Sequence, residues 1–430
     1  MARKISSVSN VLLTLVFVCV IDRVSAQTRS GLFRSHRSYD TMSALPAVDT
    51  AVMDSTLVKY YRCWKKVYIV PIQDSAEAYI RFNDKDQRNF RCTSEAMGYG
   101  MNIVALMAKC DDSARYVYDA LFNYWRLHKD GKNTGMMGWA QLKAGGANND
   151  KSAASDGDID IAYSMLLAAK EWDSPGQFNY KAEADSLIDR IMRVEVNHDT
   201  WTILLGDDEE HRQEERRGSM HDRFSDDYFK TRSSDFMPAT FRSFYAERHD
   251  DRWLKVVDAS YALFAKMVNL YSPQNGLVPD FISDLNRIPK PGGYSKEDHP
   301  DRYFNNACRV PWRIGLDYLL TGDTSAKARM TLLNDWAAST SNGKPDHIYS
   351  GYKLDGTAKS KDNELYYTGP LGVSAMIDRA NRPWVTSVWN WLQIDIDYTD
   401  GHKPDYFGDN IRMLNMIILS GNYWLPARLK

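Results

Sequence analysis

Helical periodicity is the feature of this chain that most limits the folds it can adopt. Apolar residues recur at three- and four-residue spacing, as on the buried face of a helix, in the segments 113–127, 158–172, 179–194, 236–247, 251–270, 310–320, 325–339 and 408–420. The period-two alternation of half-buried strands is scarce. The sequence therefore predicts an all-α fold.

Two stretches are typical of helices that are apolar on almost every side. One follows Glu95 and the other follows Asp156. Such a helix must be surrounded by protein, whereas an amphipathic helix faces water on one side. Alternation of the two kinds predicts a single domain in which an inner ring of helices is wrapped by an outer ring, with about a dozen helices for this length. The loops on one face of such a barrel would gather a site.

The N-terminal segment has the pattern of a secretory signal. Arg3 and Lys4 precede an apolar run at 11–21, and small residues follow at 24–26. This order predicts a signal peptide over residues 1–26, cleaved after Ala26, and a secreted or periplasmic protein. The apolar run is too short for a comfortable membrane span, and no later segment approaches the required length.

Cysteine usage gives little further constraint. Cys19 lies inside the predicted signal, and Val18 before it is larger than the small residue that lipoprotein processing prefers, so we do not expect a lipid anchor. The other four cysteines show no metal-binding spacing and allow one or two disulfides; they are Cys63, Cys92, Cys110 and Cys308.

Charge and motif content exclude several classes of function. The net charge is −2, from 54 basic and 56 acidic residues, which argues against a nucleic-acid partner because phosphate binding needs a basic excess. The sequence contains no His-Glu-x-x-His pair, no phosphate loop, no dinucleotide-binding glycine pattern and no Gly-x-Ser-x-Gly elbow. We therefore expect no metal and no cofactor. Nothing in the sequence indicates an oligomer, so a monomer is expected.

Carboxylates stand at the start of both apolar helices. Glu95 precedes one, and Asp156, Asp158 and Asp160 begin the other. Burial raises the pKa of such a carboxyl group and the helix dipole lowers it, so its proton affinity can be tuned. Each stretch alone could simply cap a helix, with Ser94 as the N-cap of the first. Two such stretches, in a chain with 12 Trp and 25 Tyr, form the inventory of a polysaccharide hydrolase, which needs two carboxyl groups and flat rings for sugars.

Four motifs in order carry a family resemblance: Ser94–Met101, Gly138-Trp139, Ala154–Tyr163 and Asn305–Arg313. Together they resemble the signatures of glycoside hydrolase family 8, over a range from about residue 62 to residue 424. The resemblance implies an (α/α)6 barrel and hydrolysis with inversion at the sugar carbon. It places the catalytic domain at 56–430, after an N-terminal leader at 27–55.

The resemblance assigns the two helix-start carboxylates different roles. Glu95 corresponds to the general acid, and Asp156 to the residue that holds the sugar distorted at the cleavage point and helps to place the water. In most of the family the general base is an aspartate in a Tyr/Ser-Asp-Ala-x-Arg pattern. Asn306 occupies that position here, and an amide cannot accept the proton from water.

This departure resembles a branch of the family in which the base is a glutamate from an inserted loop just upstream. Glu297 lies in such a loop, at 276–303. An inverting enzyme needs its two carboxyl groups about 6.5–9.5 Å apart to admit water, and a loop at the barrel mouth can supply the second one. The competing candidates are Asp298 and Asp301, with Asp280 and Asp284 as more distant ones.

Other residues have a functional and a structural interpretation side by side. Trp139 and Trp201 could stack on sugar rings or belong to the core. Tyr99 and Tyr163 could bind substrate or simply pack. The remaining interpretations are that Asn306 contacts substrate, that Arg309 orients a carboxylate or forms a structural ion pair, that Asp235 caps the following helix, and that Cys308 is a buried filler.

The expected activity is endo-hydrolysis of a β-1,4-linked polysaccharide. In the resembling branch the substrates are chitosan and β-glucans such as lichenan, whereas xylan activities belong mostly to relatives that keep the aspartate base. The acidic run 207–210 could bind the amino groups of chitosan, but arginines follow at once. Two alternatives from other classes are a carbohydrate-binding protein that has lost catalysis and a polysaccharide lyase, against which the acidic motifs argue.

Overall fold

A ring of paired helices makes up most of the computed structural model, which describes residues 39, 43–83, 89–143, 152–173, 176–207, 226–294, 299–399, 405–427 and 429. Within these residues we number twelve α-helices: α1 Thr50–Tyr68, α2 Ser94–Leu106, α3 Ala114–Leu127, α4 Ser155–Trp172, α5 Tyr180–Val194, α6 Pro238–Arg248, α7 Arg252–Tyr271, α8 Val310–Thr321, α9 Thr324–Ser341, α10 Leu365–Ala375, α11 Arg382–Trp391 and α12 Tyr406–Leu419.

The even-numbered helices form the inner ring. Each packs against the next, and α12 packs against α2, which closes the ring. Helices α2, α4, α8, α10 and α12 are buried along most of their length. The odd-numbered helices form the outer ring: α3, α5, α7, α9 and α11 each pack on the preceding inner helix, and α1 packs on α12. This is the predicted (α/α)6 barrel of two layers, and the all-α prediction is confirmed.

Each of the eight periodic segments corresponds to one of these helices, and α2 is the apolar helix expected after Glu95, but the remaining three helices were not predicted. Helix α1 is rich in polar residues. Helix α10 contains Pro370 and two glycines, which normally argue against a helix interior. Helix α11 is short and begins with an Arg-Pro pair. All three are stabilised by packing on their neighbours in the barrel rather than by local propensity.

Short strands shape the loops at the barrel mouth. Strand β3 (Phe90–Thr93) leads directly into α2 and pairs antiparallel with β4 (Ala140–Leu142). Farther along, β5 (Thr231–Arg232), β6 (Phe281–Ser283) and β7 (Lys290–Pro291) form one antiparallel sheet in that order. Strands β1 (Ile69–Pro71) and β2 (Ala78–Ile80) form a third pair. The first of these sheets leads into α2, and β5 of the second lies shortly before α6.

The cap of α2 differs from the expectation. Thr93, rather than Ser94, is the N-cap, and its hydroxyl accepts a hydrogen bond from the backbone N–H of Ala96 at 3.2 Å. Ser94 instead donates its backbone N–H to the carbonyl of Trp139 at 2.9 Å. The strand pair β3–β4 therefore fixes Trp139 beside the start of α2.

All six inner helices begin at the same face of the barrel. Side chains from the first turns of α2, α4, α10 and α12, or from the residues just before α6 and α8, contact one another there. The N-termini of the inner helices therefore converge, and their aligned backbone dipoles favour negative charge at this mouth.

The described residues belong to one compact unit. The domain boundary expected at residue 56 falls inside α1, which begins at Thr50. None of the described helices has the length and apolar character needed to cross a membrane. The four cysteines among the described residues are free thiols: Cys63, Cys92, Cys110 and Cys308. The predicted signal peptide lies outside the described residues.

Candidate active site

Glu95 is the second residue of α2 and lies at the barrel mouth. Its Oε2 atom accepts a hydrogen bond from Arg309 Nη1 at 2.6 Å, and its Oε1 atom accepts one from the Tyr406 hydroxyl at 2.8 Å. The Glu95 side chain keeps 16% of its surface exposed. The carboxyl group is therefore held rigidly but can still be reached from the mouth.

Asp156 occupies the equivalent position, the second residue of α4. Its Oδ1 atom lies 3.3 Å from Arg232 Nη2 and accepts the backbone N–H of Gly157 at 3.0 Å. Its Oδ2 atom lies 3.4 Å from Arg309 Nη1, the same nitrogen that binds Glu95. Asp156 thus stands between two arginines, with only 5% of its side chain exposed.

The two carboxyl groups have opposite proton affinities. The pKa of Glu95 is raised to about 7, chiefly by burial and also by the neighbouring Asp156, while Arg309 and the Tyr406 hydroxyl oppose the rise. Burial also disfavours ionisation of Asp156, but Arg232 and Arg309 outweigh that effect and lower its pKa to about 2. In mildly acidic solution Glu95 is therefore protonated and Asp156 is ionised. This is the division of roles that a glycosidase needs between an acid and a stabilising carboxylate.

Arg309 contacts both Glu95 and Asp156 from the buried side of the barrel mouth. It lies just before α8, and its side chain is 2% exposed. Besides the two carboxylates, Nη1 reaches the Tyr99 hydroxyl at 2.6 Å, and Nη2 donates to Asn306 Oδ1 at 2.7 Å. Arg309 contacts both carboxylates, a geometry that suits the interpretation in which it orients them. Tyr99 is fully buried, so it contacts Arg309 from the interior rather than facing the mouth.

Asn306 is held between Arg309 and Asp280. Its Nδ2 atom donates to Asp280 Oδ2 at 3.3 Å. Asp280 is 2% exposed and also accepts the backbone N–H groups of Phe304, Asn306 and Ala307. Cys308 is fully buried, and burial raises the pKa of its thiol well above the usual value, which agrees with its expected role as a filler.

The candidates for the general base differ in whether the structure describes them and in how exposed they are. Residues 295–298, which include Glu297 and Asp298, lie outside the described residues. Asp301 has 62% of its side chain exposed and lies 4.0 Å from Arg302 Nε. Asp284 is on the exposed β6–β7 turn, where Lys290 Nζ lies 2.8 Å away. Asp280 is enclosed by its four hydrogen-bond donors, which leaves it without room for a water to attack a sugar.

Four aromatic side chains, Tyr406, Phe82, Phe90 and Trp139, pack together beside Glu95 and form what we call the aromatic wall. Tyr406, whose hydroxyl binds Glu95, packs on Phe82 with ring centres 4.3 Å apart. Trp139 is partly buried and meets Phe90 edge-to-face at 5.0 Å, and Phe90 meets Phe82 in the same way at 5.6 Å. The partly exposed Trp139 gives this wall a flat surface on which a sugar ring could stack.

Two other residues that we expected to bind substrate lie apart from this group. Tyr163 is 3% exposed and lines an internal cavity together with Asn102 and Trp312. Trp201 stacks on His198 with ring centres 5.6 Å apart, and Lys255 Nζ lies 4.5 Å from its ring centre. None of these partners contacts Glu95 or Asp156, so the structure favours the packing interpretation for both.

Two residues of the cluster were missed from the sequence. Arg232 ends β5, where it pairs with Asp156 and also with Asp235, whose Oδ2 accepts from Arg232 Nε at 3.1 Å. The interpretation of Asp235 as a helix cap was wrong, because α6 has Met237 at its N-cap position and no side-chain cap. Tyr406 stands in the first turn of an apolar helix, as Glu95 does, and this likeness to α2 could have revealed it.

Among the described residues, no group of three or more His, Cys, Asp and Glu side chains is arranged to hold a metal ion. The side chains of the cluster can themselves perform proton transfer and charge stabilisation. The cluster combines a protonated carboxyl group at the mouth, an ionised carboxylate beside it and an aromatic wall.

Comparison with known proteins agrees with this geometry. Residues 38–420 match the sequence model described as Glycosyl hydrolases family 8. The chain is 34% identical over 398 residues to a beta-glucanase of Niallia circulans, with 91% of each chain covered. It is also 34% identical over 381 residues to an endoglucanase of Bacillus sp. (strain KSM-330), covering 87% of this chain and 77% of that one.

Solved structures show the same fold. A beta-1,3-1,4-glucanase from Paenibacillus sp. X4 superposes with a TM-score of 0.81 at 33% identity, covering 91% of this chain and 98% of the other. Rex8A from Paenibacillus barcinonensis, solved with xylose, has a TM-score of 0.68 at 18% identity, covering 90% and 99%. At that identity the second likeness concerns the barrel alone.

Proposed function

Because this chain belongs to glycoside hydrolase family 8, a family of inverting glycosidases, we propose that it is an endo-acting β-glucanase that cleaves β-1,4 bonds. The observation that carries this proposal is the placement of Glu95 and Asp156 around one arginine at the barrel mouth, where burial raises the pKa of Glu95 and two arginines lower that of Asp156. The aromatic wall beside Glu95 supports a polysaccharide as the substrate.

In the proposed reaction Glu95 donates its proton to the glycosidic oxygen as the bond from that oxygen to the anomeric carbon breaks. The sugar ring gains positive charge in this transition state, and the Asp156 carboxylate stabilises it. A water molecule attacks the anomeric carbon from the opposite face and gives up a proton to a second carboxylate. The product has the inverted configuration; Glu95 then regains a proton from solvent, and the second carboxylate releases the one it accepted.

We propose that the second carboxylate belongs to the segment after β7, with Glu297 as the first candidate and Asp298 and Asp301 as the alternatives. The support for this branch of the family is Asn306, which stands where most members have the aspartate base. Both ends of its amide are engaged, by Arg309 at 2.7 Å and by Asp280 at 3.3 Å. Neither end can take a proton from water.

The relatives favour glucan over chitosan. The two relatives at 34% identity are named beta-glucanase and endoglucanase, and the structure at 33% identity is a beta-1,3-1,4-glucanase. Asp207, one of the acidic residues considered for amino groups, is fully buried and accepts the backbone N–H of Ala153 at 2.8 Å. Residues 208–210 lie outside the described residues. The xylose-bound structure is too distant to support a xylanase.

The proposal can be tested by incubating the purified chain with lichenan, carboxymethyl-cellulose, chitosan and xylan, and following the first anomer by proton NMR. We expect the α-anomer from lichenan or carboxymethyl-cellulose, and none with Glu95→Gln. Release of the β-anomer would contradict the inverting mechanism, and unsaturated ends would indicate a lyase. Binding without turnover on all four would favour the binding-protein alternative.

We also propose that the chain is exported, on the strength of the signal pattern at residues 1–26. Expressed with its natural N-terminus in a bacterial host, the protein is expected outside the cytoplasm with Gln27 as its first residue. N-terminal sequencing of the exported protein tests this. An intact Met1 would contradict it.

A further inference from the structure

Asp280 organises the turn that leads into α8. It lies immediately before β6, and its carboxylate is buried. Its Oδ1 atom accepts the backbone N–H groups of Phe304 at 2.9 Å and Ala307 at 2.7 Å, while its Oδ2 atom accepts that of Asn306 at 3.0 Å. One carboxylate from another element thus satisfies three backbone donors at the start of the turn that carries Arg309.

The same carboxylate fixes the orientation of the Asn306 amide. Burial raises the pKa of Asp280 to about 6, against the hydrogen bonds that the carboxylate accepts, so the group is ionised at neutral pH. An arginine side chain can only donate hydrogen bonds, and an ionised carboxylate can only accept them. The amide between them must therefore turn its oxygen to Arg309 Nη2, at 2.7 Å, and its nitrogen to Asp280 Oδ2, at 3.3 Å. Only an amide at position 306 satisfies both partners without an added proton.

Arg309 links the Asn306 amide to the proposed general acid, Glu95. Its other terminal nitrogen lies 2.6 Å from Glu95 Oε2, and its positive charge lowers the pKa of Glu95 against the effect of burial. The guanidinium is planar, so fixing one nitrogen on Asn306 fixes the direction of the other. A continuous chain of hydrogen bonds therefore runs from Asp280 through Asn306 and Arg309 to Glu95.

We propose that Asp280 and Asn306 are positioning residues, which hold Arg309 against the general acid and so set the pH range in which Glu95 is protonated. The proposal rests on the proposed role of Glu95. It explains why position 306 holds an amide: this residue is a connector to Asp280, and a carboxylate here would face the Asp280 carboxylate at about 3 Å, where two negative charges repel.

The alternative is that position 306 is merely a base position that has been vacated and that Asp280 only stabilises the turn. The two views differ in what Asn306→Asp should do. A vacated base position would gain activity when its carboxylate is restored. A connector would lose activity, because the new carboxylate repels Asp280 and draws the guanidinium away from Glu95.

The first experiment measures kcat and kcat/KM on lichenan between pH 6 and pH 9, above the pKa of about 6 of Asp280, for wild type, Asp280→Asn and Asn306→Asp. In Asp280→Asn an N–H donor can replace the Oδ2 acceptor, so the Asn306 amide reverses and turns its nitrogen to Arg309. We expect a fall in kcat of about tenfold to a hundredfold, as small misplacements of catalytic groups produce. Since Arg309 lowers the pKa of Glu95, weakening their contact should move the alkaline limb of kcat/KM upward by about one pH unit.

Asp130→Asn is the matched control. Asp130 is 5% exposed and also accepts three backbone N–H groups, from Lys132, Thr134 and Gly135. Its partners do not contact Glu95, so this variant should lose stability without moving the pH profile. If Asp280→Asn behaved in the same way, Asp280 would be only a structural residue. Increased activity of Asn306→Asp would also overturn the proposal.

A crystal structure of Asp280→Asn provides a readout that does not depend on activity. We expect loss of the contact between Asn306 Oδ1 and Arg309 Nη2, together with a longer separation between Arg309 and Glu95 than 2.6 Å. Unchanged contacts would overturn the inference even if the enzyme were less active. If wild type hydrolysed none of the glucans, the proposed function would fail, while this structure would still decide whether Asp280 positions Arg309.

Discussion

Glu95 Oε2 and Asp156 Oδ2 are contacted by the same atom, Arg309 Nη1, at 2.6 and 3.4 Å. Their protonation nevertheless differs, because Asp156 has a second arginine, Arg232, at 3.3 Å, whereas the second partner of Glu95 is the neutral hydroxyl of Tyr406. The additional positive charge of Arg232 thus keeps Asp156 ionised, while Glu95 retains its proton and can act as the acid.

Replacing Glu95 by Gln should remove the proton donor and leave the barrel intact. We expect hydrolysis of lichenan to slow by at least about a thousandfold, within the range of general acid catalysis. Aryl β-cellobiosides with a good leaving group need little protonation and should lose far less. The ratio of the two losses is the measurement, with circular dichroism to verify the fold. Equal losses on both substrates would contradict the assignment of Glu95 as the acid.

The activity of wild type should fall as the pH rises above about 7, because Glu95 must be protonated and its pKa is about 7. Asp156, with a pKa of about 2, stays ionised throughout the working range. Its negative charge raises the pKa of Glu95, so Asp156→Asn should move the alkaline limb of kcat/KM to lower pH and reduce kcat by about a hundredfold or more. A limb that stayed in place would show that the two groups do not interact.

Stability should depend on pH in the direction set by Glu95. Its pKa is about 7 in the folded chain and near 4.5 in the unfolded chain, so the unfolded state loses its proton first as the pH rises. Folding is therefore penalised progressively from about pH 4.5 to 7, by about 3 kcal/mol in the upper limit. Glu95→Gln avoids this penalty. Its melting temperature should exceed that of wild type by a margin that grows from pH 5 to pH 8, and a constant margin would contradict the raised pKa.

Tyr406→Phe removes one hydroxyl from Glu95 while keeping the ring on Phe82. The hydroxyl lowers the pKa of Glu95, so the alkaline limb should move to higher pH, and kcat/KM should fall by about tenfold, as for loss of a hydrogen bond to a charged group. Tyr118→Phe is the control. Its hydroxyl binds Ser164 at 3.0 Å inside the barrel, and its loss should affect stability but not the pH profile.

The identity of the base can be decided with three alanine variants, of Glu297, Asp298 and Asp301. We expect Glu297→Ala to lose about a hundredfold to ten-thousandfold in kcat. Azide, which is small enough to occupy the vacated water position, should restore part of that rate and yield an inverted glycosyl azide. The other two variants should keep most of their activity without azide. Rescue confined to Asp298→Ala or Asp301→Ala would transfer the role.

The sequence predicted most of the fold because helical periodicity is local. Spacing alone located eight helices, and two carboxylates at the starts of apolar helices pointed to Glu95 and Asp156. Helix α10 was not predicted, because Pro370 and the two glycines are compatible with a helix only where neighbouring helices enclose it. Asp235 was taken for a cap since its nearest neighbours in the chain suggested one, whereas in the barrel it pairs with Arg232.

What the sequence by itself determined was the two-layer arrangement of helices and the carboxylates that begin α2 and α4, since both follow from spacing along the chain. Which of these residues meet was decided only by the tertiary structure. Ring closure brings Tyr406 of α12 to Glu95 of α2, and the β5–β6 sheet sets Arg232 and Asp280 behind Asp156 and Asn306. The pKa difference between Glu95 and Asp156 arises from these long-range contacts, because burial and neighbouring charge exist only once the ring has closed.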